Sequence, residues 1–425
     1  MQASCRVHYN HALEYAIQEA DKQGKPLIVY FGLTSDFPEA NLRHYNFLVE
    51  GLLEVERSLE EMNVKMVILN RSPEIGALEI AENASLMVTD RGYLDIGRRW
   101  RDLVSDKIKC RMVQVESDVV VPVETASPKE EYAAATIRRK INSNLKKYLI
   151  PLGSHKPVKS SLEIDLSTIN LDKIINKLDI DRSVKEVPYL HGGTSEAFKW
   201  LETFIDDKLD KFQDIRNDPS RQCQSNMSPY LHFGQISPLY IALKVSQTDS
   251  PGRDSYLEEL IIRRELSVNF VYYNSEYKNI DCLPNWASKT LKEHESDQRP
   301  YNYSQKELEG ADTHDPYWNA AQKEMVYTGK MHGYMRMYWG KKILEWVEAP
   351  REAYQIALYL NNKYELDGRD PNSYAGVAWC FGKHDRAWKE RKIFGKVRYM
   401  NDQGLRRKFK IDEYVERVDG IVESN

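Results

Sequence analysis

Short apolar runs alternate with amphipathic helical stretches early in this chain, and only helical periodicity follows later. Pro26 to Gly32, Val64 to Leu69 and Ser85 to Asp90 are apolar with little alternation, as strands buried on both faces require. Between them run helical patterns over Tyr9 to Gln23 (closed by Gly24), Asn41 to Met62 and Gly97 to Ser105, before a predicted strand pair near Cys110 to Val121. Helix–strand alternation of this kind predicts a doubly wound parallel sheet. The pattern opens on a helix, with no strand before Tyr9. Residues from Pro122 to about Gly193 carry a basic helix (Thr136 to Lys147) but sparse apolar periodicity. From Thr194 onward the period is 3.6, over Ser195 to Phe212, Pro238 to Ser246, Ser255 to Tyr273, Pro316 to Gly329, Met331 to Glu348 and Glu352 to Tyr364. The expected class is α/β plus all-α: an α/β domain at 1–127, a connector at 128–193 and a helical domain at 194–425. A chain of 425 residues suits two domains.

Composition removes several functions. No apolar run is long enough to span a bilayer, and the first residues lack a signal peptide's apolar core. The cysteines (Cys5, Cys110, Cys223, Cys282, Cys380) are scattered without CxxC spacing, which fits a reducing cytoplasm and no zinc site. There is no P-loop and no GxGxxG, so nucleotide hydrolysis is not expected. The formal net charge is −4, yet the segment from Lys383 to Lys410 is strongly basic and interleaved with Trp388, Phe394, Tyr399 and Phe409. Basic residues with aromatics suit a nucleic-acid groove; a solvated face has the same composition.

Three further segments carry chemistry. Ser225-Asn226-Met227-Ser228-Pro229 reads as a helix start with Ser228 as N-cap, either an ordinary cap or an anion site. Glu259 and Arg263 are four apart on a predicted helix, so they form a surface pair unless Glu259 points into a pocket. Trp339 and Trp346 are seven apart and share a helix side, with Trp318 on the preceding helix. Core packing is the usual fate of such rings; a path for electrons is the alternative. Asp367 to Arg386 reads as a polar loop, fixed by Asp-Gly and Asp-Pro-Asn turns, that delivers Trp379.

Gln2-Ala3-Ser4, Asn41-Leu42-Arg43, Arg216-Asn217-Asp218-Pro219, Ser228 to Gly234, Glu258-Glu259-Leu260, Arg263 to Leu266, Asp367 to Asn372, His384 to Trp388 and Gly395 to Met400 together resemble the class II cyclobutane pyrimidine dimer photolyases of the photolyase/cryptochrome family. The match runs through the whole chain in order. It implies a helical domain holding U-shaped FAD, active as FADH⁻, which on illumination passes an electron to a pyrimidine dimer flipped out of UV-damaged DNA. It implies a monomer that acts at the DNA, cytoplasmic and nucleoid-associated or nuclear in a eukaryote, with no membrane partner, and allows a deazaflavin antenna in the first domain. By resemblance, Phe212, Arg216, Ser225, Asn226, Met227 and Ser228 hold the flavin's diphosphate and ribityl chain, with Phe212 standing where relatives often have tyrosine. Asn361 resembles the residue at flavin N5, Arg336 and Asp367 a charged pair beside the ring, and Asp370 a further contact. Trp339, Trp318 and Trp346 match the photoreduction chain, in order from flavin to surface. Glu259 resembles the glutamate on the dimer's carbonyl, and Met337 and Trp379 its apolar wall; Arg263 replaces a tryptophan of some relatives. Arg386, Lys396 and Arg398 resemble residues on the DNA strand. Relatives place a strand before the Gln2-Ala3-Ser4 run, so an N-terminally truncated first domain is expected. A cryptochrome-like light receptor shares the fold and flavin, and Glu259, Met337 and Trp379 favour repair over it. A nucleic-acid module without chemistry is the remaining alternative, and predicts a colourless protein.

Overall fold

A computed structural model describes residues 1–424. The chain forms two compact units, each discontinuous in sequence. The first comprises 1–126, 142–205 and 225–248; the second comprises 127–141, 206–224 and 249 onward.

In the first unit, β1 (Ile28–Gly32) pairs in parallel with β2 (Lys65–Leu69), and β3 (Leu86–Asp90) pairs in parallel with β4 (Arg111–Val115). The strands therefore form two ladders of two instead of one continuous sheet. Residues Met1 to Ser4 lie between them. The Met1 amino group donates to the Tyr30 carbonyl at 2.9 Å, and the Gln2 side chain exchanges two hydrogen bonds with the Gly32 backbone. The backbone N–H groups of Gln2, Ala3 and Ser4 all donate to one carboxylate oxygen of Asp90, at 2.7–2.8 Å. The N-terminal segment thus joins the ladders through side chains and one buried carboxylate. Only one of the two strands expected near Cys110 to Val121 forms. Val119, Val120 and Val121 are buried but lie outside the assigned strands. Their apolar run reflects burial alone, which periodicity cannot tell from a strand.

The flanking helices follow their caps. The Asn10 side chain accepts from Ala12 N and Leu13 N to start His11–Gln23, and Gly24 closes it at φ 59°. Leu13 and Ile17 from this helix meet Val55 and Leu59 of Leu42–Glu61 in a core that also takes Leu171, Ile174 and Leu178. Each such fully buried aliphatic side chain contributes about 1.5–3 kcal/mol.

In the second unit, the helix Pro371–Cys380 is packed against Arg264–Tyr273, Gly333–Trp346 and Pro350–Tyr364. This replaces the loop expected from Asp367 to Arg386. Asp370 is its N-cap, accepting from Asn372 N at 2.8 Å, and Pro371 opens the first turn. Turn-forming residues are also helix-starting residues. Two other expected helices are modified. The stretch Ser195 to Phe212 breaks at Lys208 into Thr194–Asp207 and Leu209–Ile215. Ser255 to Tyr273 is interrupted by a π-helical turn over Glu258–Arg263. Ser228 is not the N-cap expected. It is the first residue of a five-residue helix, Ser228–His232, behind Met227.

Candidate active site

The π turn sets the partners of the two glutamates. In π geometry residues five apart come onto one face, and Arg263 accordingly meets Glu258 at 3.5 Å, not Glu259. Glu258 is also gripped by Arg138, through bonds of 2.6 and 3.1 Å. Glu259 is turned away from both and pairs with Arg216 at 2.7 Å, with both side chains partly exposed. Arg216 also lies over the Phe212 ring at 5.6 Å, and Phe212 packs edge-on against Tyr256. The surface pair between Glu259 and Arg263 is thereby excluded.

A buried charge cluster lies where Gly333–Trp346 meets the segment after Tyr364. Arg336 reaches Glu365 at 3.0 Å and Asp367 at 4.0 Å. Burial pushes the Glu365 carboxyl far above the usual range despite Arg336, and neighbouring Asp367 adds to the rise. For Arg336, burial is outweighed by the two carboxylates, which hold its proton more firmly. Burial depresses Lys330, which the same two acids partly oppose. Glu365 and Lys330 were not among the expected site residues. The available signal was Glu365-Leu366-Asp367, two acids flanking one apolar residue in the turn that follows Pro350–Tyr364. Beside this cluster, the Oδ1 of Asn361 and the Nε of Arg336 are buried without a hydrogen-bond partner. Buried polar atoms of this kind call for a partner, an ordered water or a polar ligand. Asp370, by contrast, spends one oxygen on its own helix cap.

The three tryptophans are fully buried. Trp318 stacks on Trp339 at 6.3 Å between centroids, and meets Trp346 at 5.5 Å and 65°. Trp339 Nε1 donates to Gln322 Oε1 at 2.9 Å. Trp346 in turn touches Tyr303 and His314, each at 5.3 Å, and His314 stacks on the exposed ring of Tyr301. The order Trp339, Trp318, Trp346 is thus a spatial one.

A small pocket is lined by Met337, Lys341, Trp379, Cys380, Asp385, Arg398 and Met400. It exists because two helices approach closely. A Cβ on Gly340 would lie 2.6 Å from Cys380 Sγ, so only glycine lets Gly333–Trp346 sit this near Pro371–Cys380. Beside it, Arg386 and the lining residue Arg398 each place a guanidinium over the Trp388 ring, 5.1 Å from its centre. Lys396 is exposed, and its carbonyl accepts from Trp388 N at 2.8 Å. Met337, Trp379, Arg386, Lys396 and Arg398 therefore belong to one neighbourhood.

Ser225 to Ser228 belongs to the first compact unit. Asn226 takes φ 58°, a left-handed conformation that asparagine tolerates, Met227 is buried, and Ser225 Oγ accepts from Met227 N at 3.4 Å.

Residues 1–160 match the DNA photolyase family model. A deoxyribodipyrimidine photo-lyase of Methanothermobacter thermautotrophicus is 56% identical over 426 residues, covering 100% of this chain and 94% of the relative. The chain belongs to the DNA photolyase family. Its function is DNA repair by light, as a carbon–carbon lyase. A photo-lyase of the same description from the marsupial Potorous tridactylus is 41% identical over 97% of this chain and 79% of its own length. An archaeal photolyase of Sulfolobus tokodaii, solved with two FAD molecules, shares the fold at a TM-score of 0.73 and 15% identity, covering 98% of this chain and 90% of that one. Among the described residues no helix is long and apolar enough to cross a membrane.

Proposed function

We propose that this chain is a class II photolyase, which binds FAD and acts on a pyrimidine dimer flipped out of UV-damaged DNA into the pocket of Met337 and Trp379. The observation that carries the cofactor reading is the pair of buried, unpartnered polar atoms, Asn361 Oδ1 and Arg336 Nε, beside the Arg336–Asp367 pair. These residues fit a flat heterocycle that both donates and accepts hydrogen bonds, as an isoalloxazine does. FAD bound there in its reduced anionic form supplies the electron that light drives into the dimer.

The chain's own residues do the rest. Arg336, Asn361 and Asp367 fix the ring's position and charge, while Phe212, Arg216 and Asp370 hold the diphosphate and ribityl chain; the same role for Ser225, Asn226, Met227 and Ser228 rests on the resemblance alone. Trp339, Trp318 and Trp346 carry electrons inward along the stack. Met337 and Trp379 form the apolar wall of the lesion pocket, and Glu259, oriented by Arg216, takes the dimer's carbonyl. Arg386, Lys396 and Arg398 hold the DNA strand, since cations supply phosphate contacts.

The test is to incubate reduced protein with an oligonucleotide containing a thymine dimer and compare near-ultraviolet or blue light with darkness. Thymine is expected to be restored only in the light. No light-dependent restoration sinks the reading.

A further inference from the structure

Lys341 has no place in the roles above, and its surroundings are unusual for a lysine. It is 3% exposed, one turn after Met337 on Gly333–Trp346, and it lines the same pocket as Met337 and Trp379. Its Nζ donates at 2.5 Å to the carbonyl of Cys380, the last residue of the helix that carries Trp379. Among the described residues Lys341 forms no ion pair, although Asp385 lines the same pocket. An ammonium has three donors and a single carbonyl occupies one. A buried cation compensated so sparingly is costly unless an acceptor arrives from outside. The wall beside it is apolar (Met337, Trp379, Met400), which keeps the local dielectric low and the field of the charge strong.

We propose that Lys341 is a further residue of the lesion pocket, its ammonium placed at the pocket wall to stabilise the negative charge that the pyrimidine dimer takes on when it receives an electron. The inference rests on the pocket being the lesion site. It needs no new covalent step: the added electron resides on the dimer, and Lys341 keeps its protons while the charge is present. A fixed cation aimed at developing charge in a water-poor site is a strong form of such stabilisation. The charged and titratable groups facing Lys341 are Cys380, Asp385 and Arg398. Burial holds the Cys380 thiol neutral, so it does not compete as an anion. Burial also lowers Lys341 to about 8, against smaller opposing effects of Cys380 and Asp385. The ammonium is thus present below that value and lost as pH rises through it.

The experiment measures thymine restored per absorbed photon by the full-length, flavin-loaded, reduced protein between about pH 7 and about pH 9.5, together with affinity for dimer-containing and undamaged oligonucleotides. The wild-type yield is expected to fall through about pH 8. Lys341→Met is expected to lose about tenfold in yield near neutral pH, to show no fall through that range, and to bind undamaged DNA as wild type does. Lys341→Arg keeps its charge across the range and is expected to recover most of the yield without the alkaline fall. A Lys341→Met protein with wild-type yield and pH profile overturns the proposal. If that variant does not fold, a wild-type yield that stays flat through this range overturns it. A wild-type protein that repairs normally while these expectations fail removes Lys341 and leaves the lesion site standing. A wild-type protein with no light-dependent repair removes both.

Discussion

The indole of Trp318 lies 6.3 Å from that of Trp339, within 7° of parallel, and its Nε1–H donates to the Trp339 carbonyl at 3.0 Å. The two rings are held both by stacking and by a bond to the backbone, which leaves their separation little freedom. Trp318→Phe keeps an aromatic ring but removes the donor and the easily oxidised indole. Photoreduction of the oxidised flavin is expected to slow at least about tenfold, read as flavin bleaching under blue light with an external reductant. Chemically reduced protein is expected to repair as before. Loss of the bond and of buried volume should cost about 1–3 kcal/mol in stability.

Glu259 and Arg216 are about a third exposed, so their ion pair is worth at most about 1 kcal/mol to the fold. A large functional effect at Glu259 must therefore come from the substrate. Glu259→Ala is expected to lower repair per absorbed photon while flavin stays bound and melting temperature hardly moves. Full yield in that variant removes Glu259 from the mechanism.

The sequence carried some of these relationships and concealed others, for definite reasons. Trp339 and Trp346 are seven residues apart on a helix, and that spacing alone put both rings on one side. Glu259 is different. A 3.6-residue period pairs it with Arg263, but the π turn shifts the partners by one position, and nothing in Glu258 to Arg263 announces the extra residue. The helix Pro371–Cys380 was hidden because it is packed by three other helices. Its Ser-Tyr-Ala-Gly-Val-Ala run has no polar face from which a period can be read. Lys341 was hidden by its type, since a lysine in a helical pattern reads as solvated surface. The two-ladder arrangement of the strands depends on Asp90 and the Met1–Ser4 backbone, long-range contacts with no local pattern.

The segment bearing Arg386 and Arg398 is tied down by a titratable side chain. His294 Nδ1 meets Asp297 at 2.6 Å and its Nε2 meets Glu390 at 3.2 Å, while Asp297 accepts from Ile393 N at 2.7 Å. The hydrogen bond to Asp297 raises the His294 pKa above its ordinary value, and Glu390 adds to this. A raised folded-state value means the tie is fully present below about pH 6.5 and is lost as pH rises through the folded value. Asp297 is lowered, first by the Ile393 N–H, so its share is lost only in acid. Amide exchange over 386–400, corrected for intrinsic rates, is expected to rise about twofold between neutral and mildly alkaline pH. His294→Ala is expected to show the faster exchange at every pH.

Arg386 and Arg398 share one ring, Trp388, so they present their charges together. If each contacts a phosphate, removing either lowers affinity for damaged and undamaged DNA alike and reduces the salt slope by about 1. Titrating Arg386→Ala and Arg398→Ala against both DNAs at several salt concentrations measures this. An unchanged slope in both variants removes them from the strand contact.

Gly340 sets how near the Trp379 helix can come. Its added Cβ would lie 2.6 Å from Cys380 Sγ and 3.0 Å from Cys380 Cβ. The second contact is near the backbone, so side-chain rotation cannot relieve it and one helix must shift. Gly340→Ala is expected to cost about 1–3 kcal/mol from overpacking, despite alanine's better helix propensity. That corresponds to a melting-temperature drop of about 2–4 °C per kcal/mol for a unit of this size. Gly333 supplies the control on the same helix, because a Cβ there meets nothing within 4 Å. Gly333→Ala is expected to be neutral or slightly stabilising. The shift in Gly340→Ala also displaces Met337 and Lys341 relative to Trp379, so repair per photon should fall while the tryptophan-dependent photoreduction persists. Equal melting temperatures for the two variants would show that the helices have room to separate, and that the pocket does not depend on their close approach.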